Sequence, residues 1–203
     1  MNDQETEVKF FVRDLKRIEA GLLERKARLI QARVFERNLR FDLPDGGLRA
    51  KGEVLRLRQD AESRLTFKGA SQIMEGIITR PELEFTVGDF EAARKFLEAL
   101  GYRQVAVYEK FRTVYELGDC HIMLDEMPYG DFTEVEGSSP ADIRSTTETL
   151  GLDLAAAVKD SYLGLYEKLS KKHGWPSNEL TFDALRDKSI DLAKINVHPA
   201  DKT

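Results

Sequence analysis

Apolar and polar side chains alternate along most of the first two thirds of the chain. In the stretch 4–13, Val8, Phe10 and Val12 fall on one face, which predicts a β-strand. The same period-two pattern predicts strands at 29–41, 53–60, 63–70, 77–87, 103–117, 119–126 and 131–137. Pro44-Asp45-Gly46-Gly47, Gly118-Asp119 and Tyr129-Gly130 supply turns between them. Helical spacing interrupts this twice. Asp14 is placed to cap a helix to about residue 26, with Leu15, Ile18 and Leu22 on its stripe and Leu23 adjacent. Asp89 opens another, carrying Phe90, Ala93, Phe96, Leu97 and Leu100 and closed by Gly101.

Beyond residue 139 the pattern turns helical. One helix is expected from Pro140 to Leu150, and another from Leu154 to about Lys172, ending near Gly174-Trp175-Pro176. Residues 177–203 are polar and leave open a short helix around 180–194 or a loose tail. About eight strands joined by short turns, with helices at intervals, predict an α+β fold. Its expected core is a closed eight-stranded antiparallel β-barrel with flanking helices, because closure removes exposed edges. A sandwich is the competing layout.

Composition narrows the setting. The 203 residues are 41% hydrophobic and 33% charged, enough apolar material for the core of one domain and too much for a disordered chain. No run of about 18 apolar residues predicts a membrane span, and Met1-Asn2-Asp3-Gln4-Glu5 has no signal-like character. A lone cysteine, Cys120, gives no disulfide framework and fits the reducing cytoplasm. A formal net charge of −5 argues against general nucleic-acid binding.

The placement of the charges says more than their balance. Glu5, Glu7 and Lys9 share a strand face, as do Arg56 with Arg58, Lys110 with Arg112, and Glu134 with Glu136. Lys68, Arg80, Glu82 and Glu84 sit on strands of the same kind, and the residues between them are largely apolar: Val8, Leu57, Phe67, Leu83, Phe111 and Val135. On any one strand the plain reading is a solvated polar face. Repeated over seven strands of a closed barrel, the pattern suggests the reverse, with apolar faces under the helices and charges lining a bore. Such a bore is costly unless ions or a charged ligand fill it. The arginines and lysines suit a polyanion. Glu5, Glu7, Glu134 and Glu136, with Asp125 or Glu126, suit a hard cation such as Mg²⁺.

Taken in order, these residues resemble the CYTH family, named for class IV adenylyl cyclase and thiamine triphosphatase and also called the triphosphate tunnel metalloenzymes. Glu5, Glu7 and Lys9 match its Glu-x-Glu-x-Lys hallmark, and Leu55-Arg56-Leu57-Arg58 its arginine strand. Thr66-Phe67-Lys68-Gly69, Arg80 with Glu82 and Glu84, Tyr108-Glu109-Lys110-Phe111-Arg112, and Asp125 followed by Glu134 and Glu136 match later strands. Ser161-Tyr162 with Leu165 is similar to its helical ending. The resemblance covers residues 1 to about 170 and implies an eight-stranded tunnel that binds a small molecule carrying a triphosphate. By it, Lys9, Arg56, Arg58, Lys68, Arg80, Lys110 and Arg112 hold phosphate. Glu5, Glu7, Asp125, Glu134 and Glu136 hold Mg²⁺ or Mn²⁺, and Glu82 and Glu84 orient the cations. Relatives often carry an acidic-polar-Tyr alternation on the second strand, where this chain has Glu36, Asn38 and Arg40. Arg40 is left between a substrate contact and a solvated position. Residues 171–203 lie outside the resemblance, free to cap a tunnel mouth, join a homodimer interface or stay loose.

Three chemistries fit this kit. The first is hydrolysis of inorganic, thiamine or nucleoside triphosphate, with a lysine made neutral by neighbouring cations as general base; Lys9 and Lys68 are the catalytic candidates. The second is cyclisation of ATP to cyclic AMP and pyrophosphate, which also needs an adenine pocket that the sequence does not display. The third, a binding module, has no need of metal ligands, yet all the candidates are retained. The family's breadth favours the triphosphatase.

Overall fold

The computed structural model describes residues 4–201. Ten strands and six α-helices follow in order: β1 (Gln4–Val12), α1 (Leu15–Glu24), β2 (Arg28–Asp42), α2 (Gly47–Ala50), β3 (Val54–Gln59), β4 (Ser63–Lys68), β5 (Gln72–Met74), β6 (Ile77–Val87), α3 (Phe90–Ala99), β7 (Arg103–Leu117), β8 (Cys120–Met127), β9 (Gly130–Gly137), α4 (Pro140–Thr149), α5 (Tyr162–His173), β10 (Glu179–Leu180) and α6 (Phe182–Leu185). Eight strands pair antiparallel in the order β1-β9-β8-β7-β2-β3-β4-β6, and β6 returns to β1 through Glu5↔Arg80 and Glu7↔Ile78. The sheet is therefore a closed ring, as the alternation predicts. β5 prolongs the β4 edge of β6, and β10 adds to β7 in parallel.

The apolar faces point outward to the helices. Val8, Phe10, Val12, Ile122 and Val135 pack with Leu15, Ile18 and Leu22 of α1 and Ile143 of α4. Leu39, Leu55 and Leu57 pack with Phe90 and Leu97 of α3. The Asp14 carboxylate accepts from the Lys16 and Arg17 amides, Asp89 caps α3, and Ser139 with Pro140 opens α4. Phe96 and Leu100, placed on the α3 stripe by spacing, are 62% and 58% exposed, because α3 buries a narrower face.

Three departures from the sequence reading matter. β5 falls in a stretch given no element; it is three exposed residues, reversed through Glu75 (φ 50°) and Gly76 (φ 86°). A Cβ at Gly76 would lie 2.7 Å from the Ala157 side chain, so glycine is required there twice over. The single helix expected at 154–172 is broken. A 3₁₀ turn, Leu154–Ala156, gives way to extended chain, and α5 begins afresh at Tyr162 under a Ser161 cap. The intervening backbone serves β1 instead: Ala157 bridges Phe10, and the Val158 amide donates to the Lys9 carbonyl at 2.8 Å.

The C-terminal segment is neither one helix over 180–194 nor loose as far as residue 201. Leu180, Leu185, Leu192 and Val197 pack with Leu165, Tyr166 and Leu169 of α5, and a 3₁₀ turn spans Leu192–Ile195. The Ala200 amide donates to the Phe11 carbonyl, and the Asp201 carboxylate accepts from the Arg13 amide. A domain boundary at 170 falls inside α5.

Candidate functional site

The parity that sends Val8 and Phe10 outward sends Glu5, Glu7 and Lys9 into the ring, where they are buried. β9 answers with Glu134 opposite Lys9 and Glu136 opposite Glu7. β2 lies on the far side of the ring from β1, and β3 from β9. That far wall carries Glu36, Asn38 and Arg40 on β2 and Arg56 and Arg58 on β3. The sides are closed by Lys68, Glu82 and Glu84 on β4 and β6, and by Tyr108, Lys110 and Arg112 on β7. Between them is a cavity of about 700 Å³. The start of α5 forms part of its lining through Ser161, Tyr162 and Leu163.

Inside, charges are paired in clusters. Lys9 Nζ lies 3.0 Å from Glu134, whose other oxygen binds Arg112. Lys68 and Arg80 grip the two oxygens of Glu5 at 2.5 and 2.7 Å, and Lys68 reaches Glu82 at 3.1 Å. Arg58 and Arg56 share Glu84, at 2.9 and 3.4 Å, and Thr66 donates to the same carboxylate. Asp125, fully buried, takes Arg112, Lys110 and the Tyr162 hydroxyl. The Tyr162 ring lies under the Lys9 ammonium at 4.3 Å.

These surroundings set the protonation states. Burial opposes the charge on Glu5, but Lys68 and Arg80 overrule it and hold its pKa at about 2. Burial likewise opposes Glu134, and Lys9 with Arg112 pulls it well below the usual carboxylate range. Glu7 goes the other way: burial, then Glu134 and Glu5, raises it. Glu136 is pushed up to about 7 by burial and by Glu5 and Glu7. Lys9 differs from the lysine base expected from sequence. Burial disfavours its charge, yet Glu134 and Glu7 raise its pKa, so Lys9 is held as a cation.

The predicted site residues are thus brought together, with two distinctions. Asp125 forms no part of the cavity lining; its oxygens are spent on Arg112, Lys110 and Tyr162. Glu126, the alternative to it, faces outward and pairs with Arg33. Among the described residues no three acidic, histidine or cysteine side chains stand as a ready metal cage. The donor chemistry nonetheless suits a hard divalent ion. Glu7 and Glu136 are directly opposed like charges, Glu5 lies beside them, and an oxygen-seeking cation would relieve their repulsion.

The model of the CYTH domain matches residues 3–156. The chain belongs to the CYTH family. A Methanocaldococcus jannaschii protein named "Putative adenylate cyclase MJ0240" is 29% identical over 136 residues, 66% of this chain and 77% of that one. Adenylate cyclase CyaB of Aeromonas hydrophila is 31% identical over 105 residues, about half of each chain. The solved PH1012 protein of Pyrococcus horikoshii superposes with a TM-score of 0.66 at 26% identity, covering 78% of this chain and 96% of that one. CYTH proteins bind triphosphate substrates, which agrees with a bore lined by cations. No helix among the described residues is long and apolar enough to cross a membrane.

Three residues that the sequence motifs contain, Glu36, Tyr108 and Tyr162, receive no role from sequence reasoning in the bore of this CYTH chain. Glu36 is buried between Arg58 and Lys110 and held at about 2: burial opposes its charge, and Lys110, Arg112 and Arg58 prevail. Tyr108 accepts from Arg56 at 3.3 Å, and Tyr162 seats Asp125. Both tyrosines stand in the motifs of the resemblance, but neither carries a charge that would assign it a contact.

The Glu136 environment gives a first prediction. Its folded pKa lies above the ordinary 4.5, so the folded state holds a proton that the unfolded chain releases. Its contribution to stability is therefore present at low pH and lost as pH rises from about 4.5 to 7. The wild-type Tm should fall over that window by more than the Tm of Glu136→Gln. At pH 8, Mg²⁺ or Mn²⁺ should raise the wild-type Tm and raise that of Glu136→Gln less. Equal melting responses in the two proteins would refute the carboxylate wall as the metal seat.

Proposed function

We propose that this CYTH protein is a divalent-metal-dependent triphosphatase. The observation that carries the reading is the polarised bore, with opposed carboxylates of β1 and β9 facing guanidinium groups of β2 and β3. A triphosphate lying across it meets cations on one wall. Glu5, Glu7, Glu134 and Glu136 would hold Mg²⁺ or Mn²⁺ on the other. The metal supplies charge neutralisation at phosphate oxygens. Arg56, Arg58, Arg80, Lys110 and Arg112 bind phosphate oxygens, and Glu82 and Glu84 keep Lys68, Arg56 and Arg58 aimed. Lys9 and Lys68 are the catalytic lysines, acting as cations on charge that develops at the phosphoryl group. The water oxygen bonds to the terminal phosphorus, and both of its protons stay with the orthophosphate formed. The bridging P–O bond breaks, and its electron pair leaves on the diphosphate.

A cyclase is the second reading, favoured by the names of the two sequence relatives and by one feature of the cavity. Val54, on the strand face of Arg56 and Arg58, lines part of it and offers an apolar surface to a base. Phosphorus NMR separates the two. With Mg²⁺ or Mn²⁺ and inorganic triphosphate, thiamine triphosphate or ATP, we expect orthophosphate. Cyclic AMP with pyrophosphate from ATP would overturn the triphosphatase, and no turnover of any of them would overturn both readings.

A further inference from the structure

Every phosphate-binding cation predicted from sequence has a carboxylate oxygen within 4.0 Å. Arg40 lines the same cavity and, among the described residues, makes no ion pair. Its Nε is buried and has no hydrogen-bond partner. Its register partner on β3 is Arg56, whose Nε is also buried and unpartnered, so two guanidinium groups stand side by side on one wall. One step along, Asn38 is fully buried, neither atom of its amide has a hydrogen-bond partner, and it stands opposite Arg58, whose Nε has only the Asp60 carboxylate at 3.5 Å. Like charges placed opposite one another across strands repel, and buried polar groups are ordinarily satisfied. Arg56 and Arg58 are matched by Glu84, Glu36 and Asp60, so the positive charge to spare on this band is that of Arg40, beside buried donors that have no hydrogen-bond partner. Burial first, then the charges of Arg56 and Arg80, lower the Arg40 pKa against the opposing pull of Tyr108 and Asp42.

A neutral ligand atom would accept from these groups and leave their charge uncompensated. A terminal phosphate does both, because its three non-bridging oxygens carry the charge and can accept from two guanidinium forks together. The wall lies across the ring from the carboxylates of β1 and β9, so the two ends of a polyphosphate would be held by different walls. We propose that Arg40, beside Arg56, seats the terminal phosphate of a triphosphate and sets the shortest polyphosphate that the bore retains. The proposal rests on the triphosphate reading above. It adds a residue that departs from the tyrosine often found there in relatives, and a property, discrimination by length, that gives the diphosphate product a reason to leave.

Titration calorimetry in Mg²⁺ tests it with two analogues that resist hydrolysis, diimidotriphosphate and imidodiphosphate. Arg40→Gln is expected to weaken the three-phosphorus analogue by roughly 10- to 100-fold, the worth of a lost charge-assisted contact. Binding of the two-phosphorus analogue should be unchanged, and Arg40→Lys should recover part of the loss. Equal weakening of both analogues would make Arg40 a general source of field and overturn the length role, as would no weakening of either. Thermal melting of the free variants checks the fold, and we expect Arg40→Gln to melt no lower than wild type, since it removes a half-buried charge that makes no ion pair among the described residues. Should the wild type bind neither analogue, the triphosphate reading itself fails and takes this inference with it. Should the wild type bind both while the variants behave alike, only the inference fails.

Discussion

Asp125→Asn is expected to lower the melting temperature by roughly 6–20 °C, the largest stability loss we foresee for any single bore residue. Asp125 is 0% exposed, and its Oδ1 accepts from Arg112 Nε at 2.6 Å. Oδ2 takes the Tyr162 hydroxyl at 2.7 Å and Lys110 at 3.1 Å, and Arg112 contributes a second donor. An asparagine removes the negative charge that compensates two buried cations, and its NH₂ would confront donors where an acceptor stood. Breaking a buried ion pair from one side costs about 3–5 kcal/mol, and in a chain of this size each kcal/mol moves Tm by about 2–4 °C. Tyr162→Phe is the control. It keeps the ring that packs on Phe132 at 5.2 Å and lies under Lys9, and it gives up one hydrogen bond. That variant should lose only about 1–2 kcal/mol. Calorimetry or circular dichroism reads both. If Asp125→Asn melts like the wild type, the carboxylate is not the clamp between β7, β8 and α5 that the geometry describes.

What the sequence exposes and what it hides have physical causes. Strands with one apolar and one charged face declare themselves: Glu5-Thr6-Glu7-Val8-Lys9 reads correctly because Val8 must meet the helices and its neighbours must not. α1 and α3 are equally legible, since Asp14 and Asp89 can cap helices only from where they stand, and α4 is legible from Pro140, which opens it. β2 is harder, because Arg37 and Phe35 on its outer face are exposed while Glu36 and Asn38 inside are not. With polar residues on both faces, period two says nothing about which side is buried. Asp125 and Glu126 are adjacent acids of opposite parity, and only the ring's closure decides that the first turns inward. The break before α5 hides behind Leu154, Val158, Leu165 and Leu169, which keep helical spacing although the Val158 amide is bound to β1. The C-terminal segment has no period at all. Leu180, Leu185, Leu192 and Val197 each fill a separate gap against α5 and the barrel.

Arg56→Ala and Glu5→Gln are each expected to cut triphosphate turnover by roughly 100-fold or more, the scale of a lost transition-state donor. Arg56 is positioned from three sides: it donates to Tyr108 at 3.3 Å and to Thr66 at 3.2 Å, and it pairs with Glu84 at 3.4 Å. A guanidinium held so firmly has little left to reorganise when phosphate charge develops, so its removal should appear in kcat as well as KM. Its partners survive the change. Glu84 keeps Arg58 at 2.9 Å and Thr66 at 2.7 Å, so the variant should fold and the loss should be one of function. Glu5 works from the opposite wall. It orients Lys68 and Arg80 with one oxygen each and stays ionised, held at about 2 by those cations against burial. Glutamine keeps the shape, frees both cations from their anchor and takes away a carboxylate proposed for the metal. A dependence on Mg²⁺ shifted to higher concentration in Glu5→Gln, but unshifted in Arg56→Ala, would assign the two walls their separate parts. Near-normal turnover in both variants would mean that the bore is not where the reaction occurs.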